Sequence, residues 1–507
     1  MVRYPSLYQI NTRVWLRELS DRLGRAATLA DIPDAFLDQV AALGFDYVWP
    51  LGLWQTGQAG REVSLSHPEW LQEFQATLPG FTEADVSGSP FAVTGYTLHK
   101  DFGPEADLVS LKKRLQKRKL KLLVDFVPNH TAPDHPWVKQ HPEFYVQGSA
   151  ADLEREPHNY RRVETPRGSL ILAYGRDPYF AGWPDTFQLN YRHPGLREAM
   201  AQELLKLARI ADGVRCDMAM LILPEVFQRT WGERSLPTDG SQPVDEPFWP
   251  ETIGRVKAKT PGFIFMAEVY WDLEWTLMQQ GFDYCYDKSL YDRLLSRDAA
   301  AVRSHLWADI AYQDKLARFL ENHDEPRAAH DFPVPVHQAA AIITYLTPGM
   351  RFFHEGQLEG RRVKVSMHLG RRPEEPVDPV LQEFYRNLLA CLKRPEVRQG
   401  RWQLLEVRPA WDDNQSWDRF LAFAWEGEPG QRLLVAVNYG PSQGQCHVAW
   451  PFVDVKGKKV TLKDLMHEAL YEWEGDALLY RRLYVDLPPW GFHVFAWQGG
   501  AGCWIVC

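Results

Sequence analysis

The sequence predicts an α/β chain built as a (β/α)8 barrel, with a subdomain inserted after the third strand and a C-terminal antiparallel β-sandwich. Three observations carry this. Eight short apolar runs alternate with helical patterns over the first four hundred residues, two long interruptions follow the second and third runs, and the texture changes after Gly400.

The strand-like runs are Leu7–Trp15, Phe45–Leu51, Lys121–Val127, Gly213–Met218, Phe263–Val269, Phe282–Tyr286, Leu316–Leu320 and Met350–His354. Helical spacing fills most of the gaps, at Asp34–Leu43, Ala106–Lys119, Leu196–Ile210, Ile253–Lys259, Trp275–Gln280, Val336–Leu346 and Pro379–Leu392. Strands alternating with helices imply parallel pairing through right-handed crossovers, and eight such units close on themselves. The interruptions run from about Gln55 to Thr97 and from about Thr131 to Pro184. Loops of that length inside a compact domain are functional or form small subdomains. Each follows a strand, so each rises on the face where barrel enzymes place their sites. Beyond Gly400, the runs Phe420–Trp425, Arg432–Asn438, Lys459–Leu465 and Phe492–Trp497 are separated by Gly, Pro and charged turns, the pattern of an antiparallel domain. The expected division is residues 1–130 and 185–400 for the barrel, 131–184 for the insertion, 401–498 for the β-sandwich and 499–507 for a tail.

At 507 residues the chain exceeds what one core supports. A 45% apolar and 24% charged composition is that of an ordinary globular protein. The net charge of -9 argues against nucleic acid or an anionic membrane as the main partner. The 20 Trp suit sugar faces and cores alike. The basic stretch Lys112–Lys121 reads as a solvated helix face, with Leu111, Leu115 and Leu122 inward. The six cysteines, at 216, 285, 391, 446, 503 and 507, form no paired zinc-ligand pattern. The opening MVRYPSLYQINTRVWL lacks secretory-signal organisation, and no apolar run approaches the roughly 18 residues of a membrane span. A cytoplasmic protein with most thiols reduced is expected.

The chemistry gathers where the strand runs end. The third ends LLVDFVPNH, the fourth reads GVRCDMAM, the fifth FIFMAEVYW and the seventh ARFLENHDEPR. In a parallel barrel these tips converge on one bowl. A strand has period two, so Arg215 and Asp217 project from one face, and the guanidinium favours the ionised carboxylate a nucleophile needs. Glu268 closes an apolar run, where partial burial and neighbouring carboxylates raise its pKa and suit it to protonate a departing oxygen. Asp324, between His323 and Glu325, can hold sugar hydroxyls. Any one of these residues alone fits a structural salt bridge; four tips in order do not.

Segments DFVPNH, GVRCDMAM, AEVYW and ENHDEPR resemble the four signature regions of the α-amylase family, glycoside hydrolase family 13, in that family's order; WPDTFQLN (Trp183–Asn190) resembles a fifth. The resemblance covers roughly residues 1 to 400. It implies Asp217 as nucleophile, Glu268 as general acid/base and Asp324 as transition-state stabiliser, with Arg215, His130 and His323 around the sugar. It implies retention of configuration through a covalent glycosyl-enzyme intermediate on an α-glucan or maltooligosaccharide substrate. The sequence also departs from the family. Met220 and Leu221 stand where many α-amylases carry a Lys-His pair. No cofactor is required and no metal ligand is assigned, but a structural calcium of the kind the family can carry stays open, with Asn129 the only matched ligand position of the six to eight oxygens calcium takes. Phe91 is the expected sugar-stacking aromatic, with Tyr96 in reserve. The expected reaction is hydrolysis, with transfer to a sugar acceptor (glucanotransferase or trehalose-synthase type) as the alternative and an inactive binding subunit as the distant one. Oligomeric state is not encoded in these motifs.

Overall fold

Eight parallel strands close into a barrel in strict chain order: β1 (Ser6–Asn11), β2 (Tyr47–Leu51), β3 (Lys121–Phe126), β4 (Gly213–Cys216), β5 (Ile264–Ala267), β6 (Tyr284–Tyr286), β7 (Leu316–Arg318) and β8 (Met350–His354). The computed structural model describes residues 2–166 and 168–497. The ring shuts where β1 pairs with β8, from Ser6 opposite Arg351 to Gln9 opposite His354. Strands such as β3 (KLLVDF) and β8 (MRFFH) are buried almost throughout, because one face fills the barrel and the other meets helices.

All eight expected strands form, most of them shorter than their apolar runs. The clearest difference is β1, expected to reach Trp15. It stops at Asn11, whose side chain accepts the N–H of Val14 and caps a helix over Thr12–Leu23; Gly24 ends that helix in the left-handed region at φ 66°. A local cap thus overrides the β-branched and aromatic residues Val14 and Trp15. Helices Lys288–Leu295 and Ala299–Leu306, absent from the expected set, start from Asp287 and Asp298, whose side chains accept the N–H groups of Leu290 and Ala301.

The first interruption holds a two-stranded ladder (Trp54–Thr56 with Val93–Leu98) and two helices, Gln58–Ser66 and Pro68–Thr77. The second carries a hairpin, Tyr160–Thr165 with Gly168–Ala173. It is stitched back to the barrel where His130 and Thr131 pair with Gln188 and Phe187. After the barrel come β9 (Arg401–Leu404), β10 (Val407–Pro409), β11 (Phe420–Glu426), β12 (Arg432–Asn438), β13 (Gly444–Val448), β14 (Lys459–Asp464), β15 (Leu470–Glu474), β16 (Leu483–Leu487) and β17 (Phe492–Trp497). They form antiparallel sheets of order β9-β11-β12-β17-β14-β15 and β10-β13-β16. One face of β11 and β12 packs on the barrel core, and the other builds a second core with Val448, Leu462 and Val485. Trp425 joins the two bodies: it is fully buried, and its indole N–H donates to Leu346 O at 2.7 Å.

Cys216, Cys285, Cys391 and Cys446 are buried free thiols; Cys503, Cys507 and the expected tail lie outside the described residues. Among the described residues no helix is long and apolar enough to cross a membrane.

Candidate active site

The site is built around one buried cation. Arg215 on β4 is fully buried; its Nη1 lies 2.5 Å from Asp217 Oδ1, and its Nη2 lies 2.8 Å from Glu268 Oε2 and 4.0 Å from Asp324 Oδ2. The tips of β4, β5 and β7 therefore bring the three expected carboxylates around a single guanidinium. The planar fork of arginine suits this role, since it contacts several oxygens at once.

Backbone bonds fix how each carboxylate is presented. Asp217 N–H donates to Phe126 O on β3, and Glu268 N–H donates to Cys216 O, at 2.8 and 3.0 Å. Met218, directly after Asp217, adopts φ 42°, a left-handed conformation costly for a residue with a side chain. The turn lets Met218 N–H donate to Glu268 Oε2 at 2.6 Å, while Tyr270 O–H donates to Oε1 at 2.9 Å. Asn322 Oδ1 accepts the N–H groups of Asp324 and Glu325, and the resulting turn aims Asp324 at the bowl. The Asp324 side chain is 31% exposed and lines the cavity over the barrel mouth.

Burial dominates the electrostatics. It pushes the Glu268 carboxyl up to about 8; Arg215 opposes that rise, and Asp217 and Asp324 add to it. Burial likewise raises Asp324, against Arg215 and Lys364. It holds His323 well below the usual imidazole range, helped by Arg215, and lowers His130. Gln9 Nε2 lies 2.9 Å from His323 Nδ1, so a donating amide leaves the ring proton on Nε2. That nitrogen sits 3.0 Å from Asp324 Oδ2 without forming an aligned bond, which leaves both atoms free for a ligand.

A cavity of about 230 Å³ opens over these groups. His130 and Phe91 line it; Phe91 packs 5.5 Å from the His323 ring and 5.1 Å from the Arg215 guanidinium. Tyr96, the reserve aromatic, is placed elsewhere. Its hydroxyl bonds to Val127 O and Val127 N–H, and its ring packs between Trp54 and Phe126, one layer behind the cavity. Asp125 is likewise a supporting residue, accepting from Trp49 Nε1 at 3.1 Å and from Gly52 N–H at 2.7 Å.

Sequence reasoning missed Trp70, Trp183, Asp185, Met367 and His368, all on the cavity wall. Trp183 and Asp185 sit in the quoted WPDTFQLN and were legible there; Trp70, Met367 and His368 belong to long loops with no motif. Met220 and Leu221 are buried in the turn Ala219–Ile222 and pack into the core.

The oxygens around Asn129 are already engaged by the chain itself. Gln188 Nε2 lies 2.9 Å from Asn129 Oδ1, 3.0 Å from Asn129 O and 3.0 Å from Leu189 O. An amide nitrogen, a hydrogen-bond donor, thus engages Asn129 Oδ1, the one matched oxygen, together with two neighbouring carbonyls, and a cation there would have to displace it.

The sequence profile described as the α-amylase catalytic domain matches residues 92–375, more than half of the chain. The chain belongs to the α-amylase family. This α-amylase-family enzyme is 26% identical over 357 residues to the α-amylase MalA of Haloarcula japonica, covering 68% of this chain and 46% of that one. It is 24% identical over 313 residues to α-amylase 3 of Dictyoglomus thermophilum, covering 57% of this chain and 56% of that one. The chain thus spans about half the length of the curated relatives it matches. Its fold is that of a noncanonic maltogenic α-amylase, AmyB of Thermotoga neapolitana, with a TM-score of 0.67 at 16% identity over 98% of this chain and 99% of that one.

Proposed function

We propose that this enzyme hydrolyses α-glucans or maltooligosaccharides with retention, through a glycosyl-enzyme intermediate on Asp217. One observation carries the reading: three carboxylates share Arg215 at the floor of one cavity, and burial shifts the middle one, Glu268, towards the protonated form that an acid needs. In the first step Glu268 gives its proton to the glycosidic oxygen as Asp217 attacks the anomeric carbon; the C–O bond breaks and the leaving sugar departs as an alcohol. In the second, Glu268, now a carboxylate, takes a proton from water as the water oxygen attacks the same carbon and releases Asp217. Asp324 and the neutral His323 face the sugar hydroxyls, while Arg215 holds the carboxylates in register.

A second reading, transfer to a sugar hydroxyl in place of water, draws on the apolar side chains of Trp70, Trp183, Met218 and Met367 around the cavity. A relative in Burkholderia pseudomallei, 25% identical over 299 residues, is an α-1,4-glucan:maltose-1-phosphate maltosyltransferase. Incubating the enzyme with maltoheptaose, with and without added glucose, separates the two. Short reducing sugars accumulating equally in both arms support hydrolysis; glucose-dependent longer products support transfer. An Asp217→Asn variant as active as the wild type would overturn both.

A further inference from the structure

The two long loops that carry no sequence motif are not independent of each other. The helices Gln58–Ser66 and Pro68–Thr77 rise from the end of β2, and residues 355–378 rise from the end of β8. They share a small core of their own, in which Phe74, Leu78, Val86 and Leu369 are buried and Trp70 packs alongside. The backbones pair across it. Val86 bridges Leu369, Ser87 N–H donates to His368 O at 2.7 Å, and Gly370 N–H donates to Asp85 O at 2.8 Å. Arg371 adds two bonds of 2.9 Å to the Asp85 carboxylate. This is a joint with a defined register, not a chance approach of two loops.

The joint delivers particular side chains to the cavity. The Trp70 ring lies 4.6 Å from His368 and is stacked on His67 at 4.4 Å; His368 Nδ1 lies 2.9 Å from Ser64 Oγ. Trp70, Met367 and His368 then line the same cavity as Asp217, Glu268 and Asp324. Burial holds His368 down at about 4, so it meets a ligand as a neutral hydrogen-bonding ring. Trp70 and His368 on this small core, with Met367 beside them packed against the barrel core, make a wall.

Where the wall stands decides what it blocks. It springs from β2 and β8 and is tied to the element after β1, since Arg372 bonds both Glu18 and Glu355. In the closed ring β1 lies opposite β5, the strand that presents Glu268. The proton donor must face the leaving group, so a wall across the mouth from Glu268 stands at the glycone end.

From this geometry we infer that the Trp70–Met367–His368 wall closes the glycone end of the cleft, so that the enzyme removes short units from the non-reducing ends of α-glucan chains and does not cut within them. The inference rests on the glycosidic reading above and extends it to the mode of attack; Trp70 and His368 become specificity-determining residues.

The test compares maltoheptaose p-nitrophenyl glycoside with the same compound blocked at its non-reducing end by a 4,6-O-ethylidene group, products being resolved by chromatography. The wild type is expected to cleave the blocked compound about a hundredfold less efficiently, since a pocket fitted to a free sugar end rejects added carbons. Trp70→Ala is expected to reduce that discrimination at least about tenfold, the scale of one lost pocket contact. Arg371→Gln, which loosens the joint without touching the cavity, is expected to shift the ratio in the same direction; it serves as the second variant if Trp70→Ala does not fold. Equal cleavage of free and blocked substrates by the wild type would overturn this inference alone. Cleavage of neither would overturn the glycosidic reading and the inference with it.

Discussion

Raising the pH should switch this enzyme off far above the usual carboxyl range. Glu268 must be protonated to assist departure of the sugar, and its carboxyl is pushed up to about 8 from the 4.5 of a free glutamate. With that value about nine molecules in ten carry the acid at pH 7, against roughly one in three hundred for a free side chain. The sign follows from the role: on the alkaline side, activity falls about tenfold per pH unit above the raised pKa, as the acid form of Glu268 is lost. In kcat/KM for maltoheptaose the alkaline limb should therefore lie near pH 8. Glu268→Gln should lower the rate on that substrate by about 10²–10⁴, the usual contribution of a general acid. On α-maltosyl fluoride, whose fluoride leaves without a proton, the same variant should lose far less in the first step. A wild-type rate already falling between pH 4 and 5, or equal losses of Glu268→Gln on both substrates, would refute the reasoning.

Further outcomes follow from the same geometry. Treating Glu268→Gln with α-maltosyl fluoride should trap a maltosyl ester on Asp217, seen by peptide mass spectrometry and absent from Asp217→Asn. Arg215→Met leaves the buried Asp217, 2.5 Å from the guanidinium in the wild type, without its cation; the variant should lose about 3–5 kcal/mol in urea unfolding, as when one member of a buried ion pair is removed. Because Gln188 Nε2 occupies the oxygens around Asn129, dialysis against a calcium chelator should leave both Tm and activity unchanged. Trp425→Ala should cost about 3–5 kcal/mol, through the lost ring and the unpaired Leu346 carbonyl, with little change in KM.

The barrel was legible because its signal is repeated: each apolar run such as LLVDF or FIFMA is too short and too apolar for a surface helix, and each is answered by a helical segment. The carboxylates were legible for the same reason, since they stand immediately after those runs. What the sequence concealed was decided by contacts distant in the chain. Asn11 ends β1 by capping the next helix, against the preference of Val14 and Trp15. Tyr96 is drawn out of the bowl by two bonds to Val127, a residue no local pattern connects to it. Trp70 and His368 lie almost three hundred positions apart, and only the pairing of two loops brings their rings within 4.6 Å. The strands of the three-stranded sheet, β10, β13 and β16, were missed because their short runs lack a continuous apolar pattern.

The barrel seam has a bearing on how the molecule is made. On its β8 side Ser6 finds its partner only at Arg351, so a nascent chain exposes one edge of β1 until residues as far as 351 have left the ribosome. Contacts this remote are slow to form and leave sticky edges open meanwhile. Shortened versions ending before residue 354 should therefore aggregate instead of yielding a smaller working enzyme, and expression at reduced temperature should improve the soluble yield of the whole protein.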